Sequence, residues 1–363
     1  QEPSTGSIKL SGKHLEFINR QARMKFQLNP FIYELTQRLY EDKLSLGKFY
    51  AHKIEQPESV STRLGISGEE SPEKIQRMRA HPDYLKVKRE VSKEHAQVCE
   101  QMKENMLARF MLDKAEKIKD DEYNYYPMDY DFRGRIYSRV PFISFQSTDA
   151  GRYMIRFAEK TPIDSRTQFW LKVGIANAAG VDKVCWDDRV RWFDKHKDDI
   201  INIGKMMDNG DFDRAYEFLK EVDDPFCLAA LANEYVKVFV DKTQTYTQVF
   251  VYVDCSCSGT SIFNAWRRNE HGARMTNLVD TPEPADIYLE VWREIRRQMP
   301  DDVFNERRIK RLEKSKLLRK MMKSTYVPAS YASPTTEQHN KLWEFNKTKL
   351  KEAGLAFSDN EME

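Results

Sequence analysis

The chain has 363 residues, 40% of them hydrophobic and 12% aromatic, which is enough for about two to three globular domains. Together with 32% charged residues and 14 each of Gly and Pro, this composition excludes a disordered tail and a collagen-like or low-complexity chain. The formal net charge of +2 is close to neutral, but it conceals a basic run late in the chain.

From His14 to Gln27, Leu15, Ile18, Ala22 and Phe26 fall at helical spacing, and Phe31, Ile32, Leu35 and Leu39 repeat the pattern after Pro30. The N-terminal region is therefore expected to be helical. The stretch from Gln56 to Pro72 is polar and holds two Gly and two Pro, so a mobile loop is expected around residues 56–73. Lys86 to Ile118 reads as one long, charge-rich helix, with Val98, Met102, Met106 and Phe110 at i, i+4 positions. Between Tyr123 and Phe145 the chain changes to aromatics, Gly, Arg and Pro, which predicts irregular and strand structure. Helical patterns return at Gln168–Ala179 and Phe212–Val238, and no internal repeat is found.

A short β-like run follows. In Val249 to Val253 the β-branched residues alternate with Phe250 and Tyr252, which predicts a strand buried on both faces. Asp254 ends the run, Cys255 to Gly259 are small residues suited to a tight turn, and Ile262, Phe263, Ala265 and Trp266 resume a helical pattern with Ser258 as its expected cap. A carboxylate placed this way can bind a divalent cation that carries phosphate oxygens. It can also be an Asp that closes a turn. Further on, Arg307-Arg308-Ile309-Lys310-Arg311 and Lys314 to Lys323 form the basic run, diluted by Glu306 and Glu313. By itself it reads as a solvated helix face.

No apolar run approaches the roughly 20 residues of a membrane helix. Gln1 stands in place of an initiator Met and no charged-then-apolar leader follows it, so a processed or trimmed chain in a cytosolic compartment is expected. Five Cys without paired zinc-type spacing fit reduced thiols, and the Cys255-x-Cys257 pair lacks the second pair or nearby His that zinc requires. The seven His are scattered singly. Tyr125, Tyr126 and Tyr130 could stack on bases, although aromatic clusters more often belong to a core.

Asp254-Cys255-Ser256-Cys257-Ser258-Gly259, with Phe263 and Ala265, resembles motif A of the single-subunit, phage-type RNA polymerases, usually Asp-Gly-Ser-Cys-Ser-Gly. Upstream, Asp131-Phe132-Arg133-Gly134-Arg135-Ile136-Tyr137 is similar to the family's Asp-aromatic-Arg-Gly-Arg-x-Tyr element, and Gly180-Val181-Asp182-Lys183-Val184 to a Gly-Val-Asp-Lys-Val stretch. Asp224-Pro225-Phe226-Cys227 and Glu234-Tyr235 keep the expected order. Downstream, Gly272, Arg274, Asn277-Leu278 and Asp286-Ile287-Tyr288 keep the family's spacing, and Arg319, Lys323 and Tyr331 reproduce the Arg-x3-Lys-x7-Tyr skeleton of motif B. The resemblance runs from about Leu15 to Ser333, weakly before Asp129 and strongly after it.

The resemblance implies an α+β, mostly helical fold forming part of a right-hand polymerase: a helical, thumb-like region over 1–122, a palm-like region over 123–260 and a fingers-like region over 261–363. It implies DNA-dependent RNA synthesis by two-metal nucleotidyl transfer. Asp254 and the backbone carbonyl of Cys255 would bind Mg2+, Lys323 and Arg319 the triphosphate, and Tyr331 the ribose 2′-hydroxyl. Arg133 and Arg135 would contact the template or hybrid and Lys183 the early transcript. Template DNA, RNA, nucleoside triphosphates and a promoter-opening or single-strand-binding factor are the implied partners, in the cytoplasm of an infected bacterial host.

Three departures stand out. Cys255 replaces the motif A Gly. Ala332 replaces the Gly after Tyr331, and Pro328 is expected to kink or end the helix between Lys323 and Tyr331. No His-Asp pair, the family's second metal motif, is present. A single carboxylate cannot hold two ions, so a second subunit carrying that motif is expected, as in the two-polypeptide enzymes of certain podoviruses, the alternative being a C-terminal half that was proteolysed or lies outside this sequence. The competing readings are a non-catalytic nucleic-acid-binding relative and a DNA polymerase or primase of the same architecture.

Overall fold

The computed structural model describes residues 12–131, 135–252, 256–281, 283–298, 306–330 and 333–357. The structure is mostly helical, with three two-stranded antiparallel ladders among the described residues. Contacts divide the chain into two units, residues 1–182 with 186–251 and residues 183–185 with 252–363. No described helix is long and apolar enough to cross a membrane.

The first unit is built around the helix Pro225–Tyr235, whose sequence PFCLAALANEY is apolar on nearly every side and leaves almost nothing exposed. Such a helix must be enclosed. The helices Asp149–Tyr153, Thr167–Ala178 and Lys197–Lys205 pack against it. The approach of Lys197–Lys205 depends on Gly204, where a Cβ would collide with the Ala232 carbonyl and the Val236 side chain. The buried Asn233 amide donates to the Gly204 carbonyl at 2.8 Å across the same contact. Beyond Tyr235 the helix widens, and Asp241 N–H donates to the Val236 carbonyl five residues back.

The cap of this central helix comes from elsewhere in the chain. Asp224 sits at its N-terminus without a side-chain cap, and Asp149 supplies one, accepting from Phe226 N–H at 2.7 Å and Cys227 N–H at 3.3 Å. Another buried carboxylate, Glu234, accepts from Gln248 N–H at 2.8 Å. Gln248 in turn donates its side-chain amide to the Phe157 carbonyl at 2.9 Å. This ties the segment before residue 249 to the Ile155–Phe157 strand.

Several expectations are corrected in this unit. The first helix is Gly12–Ala22, while Phe26–Leu28 forms a strand, with Phe26 opposite Phe157 and Leu28 opposite Ile155. Cross-strand partners outweigh the helical spacing of Phe26. The 56–72 stretch contains a short helix, Val60–Arg63, capped by Ser59, and Ser71 caps the following helix Pro72–Ala80. The long helix Tyr84–Ile118 forms as expected, but Met102, Met106 and Phe110 are about half exposed. Its buried positions are Val91, Val98, Ala108, Met111 and Ala115. The face turned inward includes a polar residue, Asn105, whose side chain accepts from His52 N–H at 2.7 Å and donates to the His52 carbonyl at 2.9 Å.

The run from Val249 to Tyr252 is not a strand, and Val251 and Tyr252 are exposed. Val253 lies outside the described residues. Alternating β-branched residues supply propensity, but a strand also needs a ladder partner. Among the described residues none pairs with this run. The expected irregular and strand region does contain a hairpin, Met128–Tyr130 against Ile136–Ser138.

The second unit has its own core. Ile287, Tyr288 and Trp292 from the helix Ile287–Gln298 meet Ile309 and Leu312 from Glu306–Glu313, and Leu318, Met321 and Met322 from Lys316–Ser330. Leu350 and Leu355 complete it. Ile309 and Leu312 are thus the inward face of the basic run, whose Arg307, Lys310 and Arg311 are exposed.

Burial and the neighbouring Asp224 charge raise the Asp149 carboxyl to about 7, against the two backbone N–H donors and Arg152. An unfolded Asp titrates near 3.9. Between these values the folded chain holds a proton that the unfolded chain has released, so the stability from this group falls as pH rises towards about 7. Thermal melts should show the parent chain losing stability relative to Asp149→Asn from about pH 4 to about pH 7, with no further loss above that. A pH-independent difference between the two would contradict this assignment.

Candidate functional site

The helix Lys316–Ser330 carries two of the sequence-predicted residues. Its inward face is Leu318, Met321, Met322 and Thr325. That burial leaves Arg319 half-buried and turns Lys323, one turn later, to solvent. Among the described residues Lys323 has no ion-pair partner. The helix runs through Pro328 and ends at Ser330, within the interval between Lys323 and Tyr331 where a kink or an end is expected. Proline removes the donor that Ser324 would receive. The adjoining Ser324 and Thr325 hydroxyls donate to carbonyls of the preceding turn, Ser324 to Met321 at 2.7 Å and Thr325 to Met322 at 3.1 Å. Ser333 N–H donates to the Pro328 carbonyl at 3.1 Å.

Arg319 is seated on the start of the neighbouring helix. Its Nε donates to Asp286 Oδ2 at 2.5 Å, and its guanidinium lies 5.1 Å from the centroid of the Tyr288 ring. Asp286 Oδ1 accepts from Tyr288 N–H at 3.0 Å, so one carboxylate both starts the helix Ile287–Gln298 and holds the arginine. Tyr288 is buried, and burial with the nearby Cys257 pushes its hydroxyl up to about 12.

Polar contacts of the same kind fasten the turn at Ser256 and Cys257. Cys257 adopts a left-handed conformation, φ 52°, and precedes the helix Ser258–Arg267. Ser258, the expected cap, is the first residue of that helix, and Cys257 at the cap position makes no side-chain cap bond. Instead the Ser261 hydroxyl donates to the Ser256 carbonyl at 2.8 Å. Asn277, also left-handed at φ 56°, donates to Ser256 Oγ at 3.0 Å and to the Ala285 carbonyl at 2.8 Å, and accepts from Ala285 N–H at 2.7 Å. Thr260 Oγ1 lies 3.2 Å from Cys257 Sγ and 3.4 Å from the Tyr326 hydroxyl, whose ring meets Tyr288 edge-on. Ser256, Asn277, Asp286, Arg319 and Tyr326 therefore belong to one polar layer in the second unit.

This layer explains residues that the sequence reading noted only by spacing. Asn277 is a clamp and Asp286 is an anchor. Gly272 is required because a Cβ there would collide with the Asn264 side chain, which is buried and accepts from Asn269 at 3.3 Å. Tyr326 was missed, although it lies two turns from Arg319 on the same helix, a signal that the helical period contains.

The remaining predicted residues are dispersed. Arg135 is exposed beside the hairpin turn, where its backbone N–H donates to Asp131 Oδ1 at 2.8 Å. Lys183 is exposed. Asp254, Cys255, Arg133 and Tyr331 lie outside the described residues. Among the described residues no group of three or more His, Cys, Asp or Glu could hold a metal ion. A Gly272→Ala substitution should destabilise the second unit by about 1–3 kcal/mol through overpacking, seen as a lower melting temperature. An unchanged melt would mean that Asn264 can turn aside at no cost.

Comparison with known proteins gives this geometry its context. The family model described as DNA-dependent RNA polymerase matches residues 161–353. The mitochondrial DNA-directed RNA polymerase 1 of Arabidopsis thaliana is 28% identical over 357 residues, covering 93% of this chain and 35% of that protein. The DNA-directed RNA polymerase of Enterobacteria phage T3 is 33% identical over 54% of this chain and 21% of its own length. The chloroplastic DNA-directed RNA polymerase 3 of Nicotiana sylvestris is 34% identical over 54% of this chain and 19% of its own length. The chain thus spans about a fifth to a third of the length of these relatives, and the plant mitochondrial match extends the similarity well upstream of Asp129. Since the family match contains the whole second-unit layer from Ser256 to Tyr326 and more than half of the chain, the protein belongs to the phage-type, single-subunit DNA-dependent RNA polymerase family.

Proposed function

We propose that this chain is the part of a phage-type DNA-directed RNA polymerase that binds the incoming nucleoside triphosphate and holds one of its catalytic carboxylates. The observation that carries this proposal is the placement of Arg319 and Lys323 one turn apart on a single helix within the family-matched stretch, with Lys323 exposed and unpaired among the described residues. Two adjacent cations suit a triphosphate, the arginine as a planar fork and the lysine as a point charge.

The reaction is attack of the RNA 3′-hydroxyl on the α-phosphate. A P–O bond forms to the 3′ oxygen, the bond from the α-phosphorus to the bridging oxygen breaks, and pyrophosphate leaves. Lys323 neutralises the charge gathering on pyrophosphate and can donate a proton to it, while Arg319 holds the outer oxygens. Tyr331 closes the nucleotide pocket against the ribose 2′-hydroxyl, the group that separates RNA from DNA precursors. Arg133 and Arg135 contact template or hybrid phosphates, and Lys183 the early transcript.

The donors proposed for metal, the Asp254 carboxylate and the Cys255 carbonyl, are hard oxygens of the kind Mg2+ takes, and a side chain at position 255 leaves that carbonyl available. Bound Mg2+ supplies positive charge at the reacting phosphate. One carboxylate does not serve two ions, so the second is proposed to come from a His-Asp motif on a partner chain or on further sequence of the same polypeptide. Exposure of Ile262, Phe263 and Trp266 on the helix after motif A supports such a covering element, since large exposed apolar groups in a cluster mark interaction surfaces. Template DNA, RNA and a promoter-opening or single-strand-binding factor are the further partners proposed.

Asp254→Asn should abolish nucleotide addition in a template-directed extension assay while leaving the thermal melt intact, and Lys323→Ala should slow addition at least about a hundredfold, since a charge-stabilising donor contributes roughly 3 kcal/mol. Near-normal elongation by Asp254→Asn would overturn the metal-binding role proposed for Asp254.

Tyr331→Phe removes the hydroxyl proposed to pair with the 2′-hydroxyl, worth roughly 1–3 kcal/mol. The variant should incorporate ribonucleotides within about tenfold of the parent and accept deoxyribonucleotides about tenfold more readily, as 1.4 kcal/mol corresponds to a factor of ten. Unchanged ribose preference would assign sugar selection to another residue.

A further inference from the structure

We infer that Asp286 is a positioning residue for the triphosphate: it holds Arg319 by Nε so that the terminal amino groups of the guanidinium remain free to grip phosphate oxygens. The inference rests on the triphosphate role proposed for Arg319 and adds the residue that orients it. Nε donates to Asp286 Oδ2 at 2.5 Å, and among the described residues neither terminal amino group has a hydrogen-bond partner. The side chains are 35% and 21% exposed, so the pair is open to a ligand on one side. A guanidinium presents five N–H donors, and the Nε contact uses one of them. The end left over is the fork that matches two oxygens of a phosphate.

Asp286 is itself immobilised. Its Oδ1 accepts from Tyr288 N–H at 3.0 Å and its backbone carbonyl accepts from Glu290 N–H at 3.0 Å, which fixes it to the first turn of Ile287–Gln298. The Tyr288 face supports the guanidinium at 5.1 Å, and Tyr326 meets that ring edge-on at 6.0 Å. A long, flexible side chain is thereby held in one orientation before the ligand arrives, which removes part of the ordering cost of binding. Among the described residues nothing comparable holds Lys323, which is exposed.

The test is Asp286→Asn in the natively assembled polymerase. Asparagine keeps the cap on Tyr288 N–H and removes the charge that fixes Arg319. The nucleoside triphosphate KM should rise about tenfold with kcat within about threefold, and the inhibition constant of inorganic tripolyphosphate should rise in parallel while that of a nucleoside without phosphates stays put. In an Arg319→Ala background, Asp286→Asn should add less than about twofold, because the group it positions is gone. An unchanged or lowered KM in Asp286→Asn beside a defective Arg319→Ala, an additive double variant, or an equal loss for the nucleoside would each overturn the inference. A normal KM in Arg319→Ala would instead overturn the triphosphate role of Arg319 itself. Thermal melts of each variant separate loss of fold from loss of positioning.

Discussion

A helix with no polar face has to be enclosed, and enclosing Pro225–Tyr235 organises the first unit. Ten of its residues are buried, so several other helices are drawn against it, and every polar group it brings inward must find a partner. Asn233 meets the Gly204 carbonyl, Glu234 meets Gln248, and the free N–H groups at its start meet Asp149. These partners come from separate parts of the chain, so satisfying one helix also fixes the positions of several loops. The cost is a carboxylate buried beside another acidic group, whose raised pKa reflects how closely the site is walled in.

The second unit is held by a different mixture. Its apolar core of Trp292, Ile309, Leu312, Leu318 and Met322 brings three helices together, but the positions of their ends are set by polar contacts. Asn277 bridges Ser256 to Ala285, and Asp286 joins the start of one helix to a cation on another. Monodentate charge-assisted bonds and paired amide bonds are directional, which nonpolar packing is not. The outcome is that the turn at Ser256 and Cys257 and the helix bearing Arg319 and Lys323 are registered to one layer. The triphosphate role proposed for Arg319 and Lys323 would require registration of this kind, since a displacement of about 1 Å can cost a hundredfold in rate.

Much of this organisation could be read from the sequence because it depends on local repetition. The period of Lys86–Ile118 specifies a long helix, and the helices Thr167–Ala178 and Lys316–Ser330 follow the same logic. The four-residue interval between Arg319 and Lys323 places them one turn apart on any helix. The ordered motifs from Asp131 to Tyr331 specify the family, because residue types and spacings are properties of the chain alone.

Other features were decided only in three dimensions. Phe26 has a helical interval to Ala22 but lies in a strand because Phe157 stands opposite it. Val249 to Tyr252 has the alternation of a strand but no ladder partner among the described residues, and a ladder is a relation between segments. Met102, Met106 and Phe110 share a helix face that the packing leaves exposed, while Asn105 turns inward to bind the His52 backbone. Asp149 caps a helix that begins about 77 residues later, and Asp286 seats an arginine 33 residues away. Periodicity reports which residues share a face of one element. Which face is buried, and which polar atom meets which, depends on surfaces that other segments supply after the chain has folded.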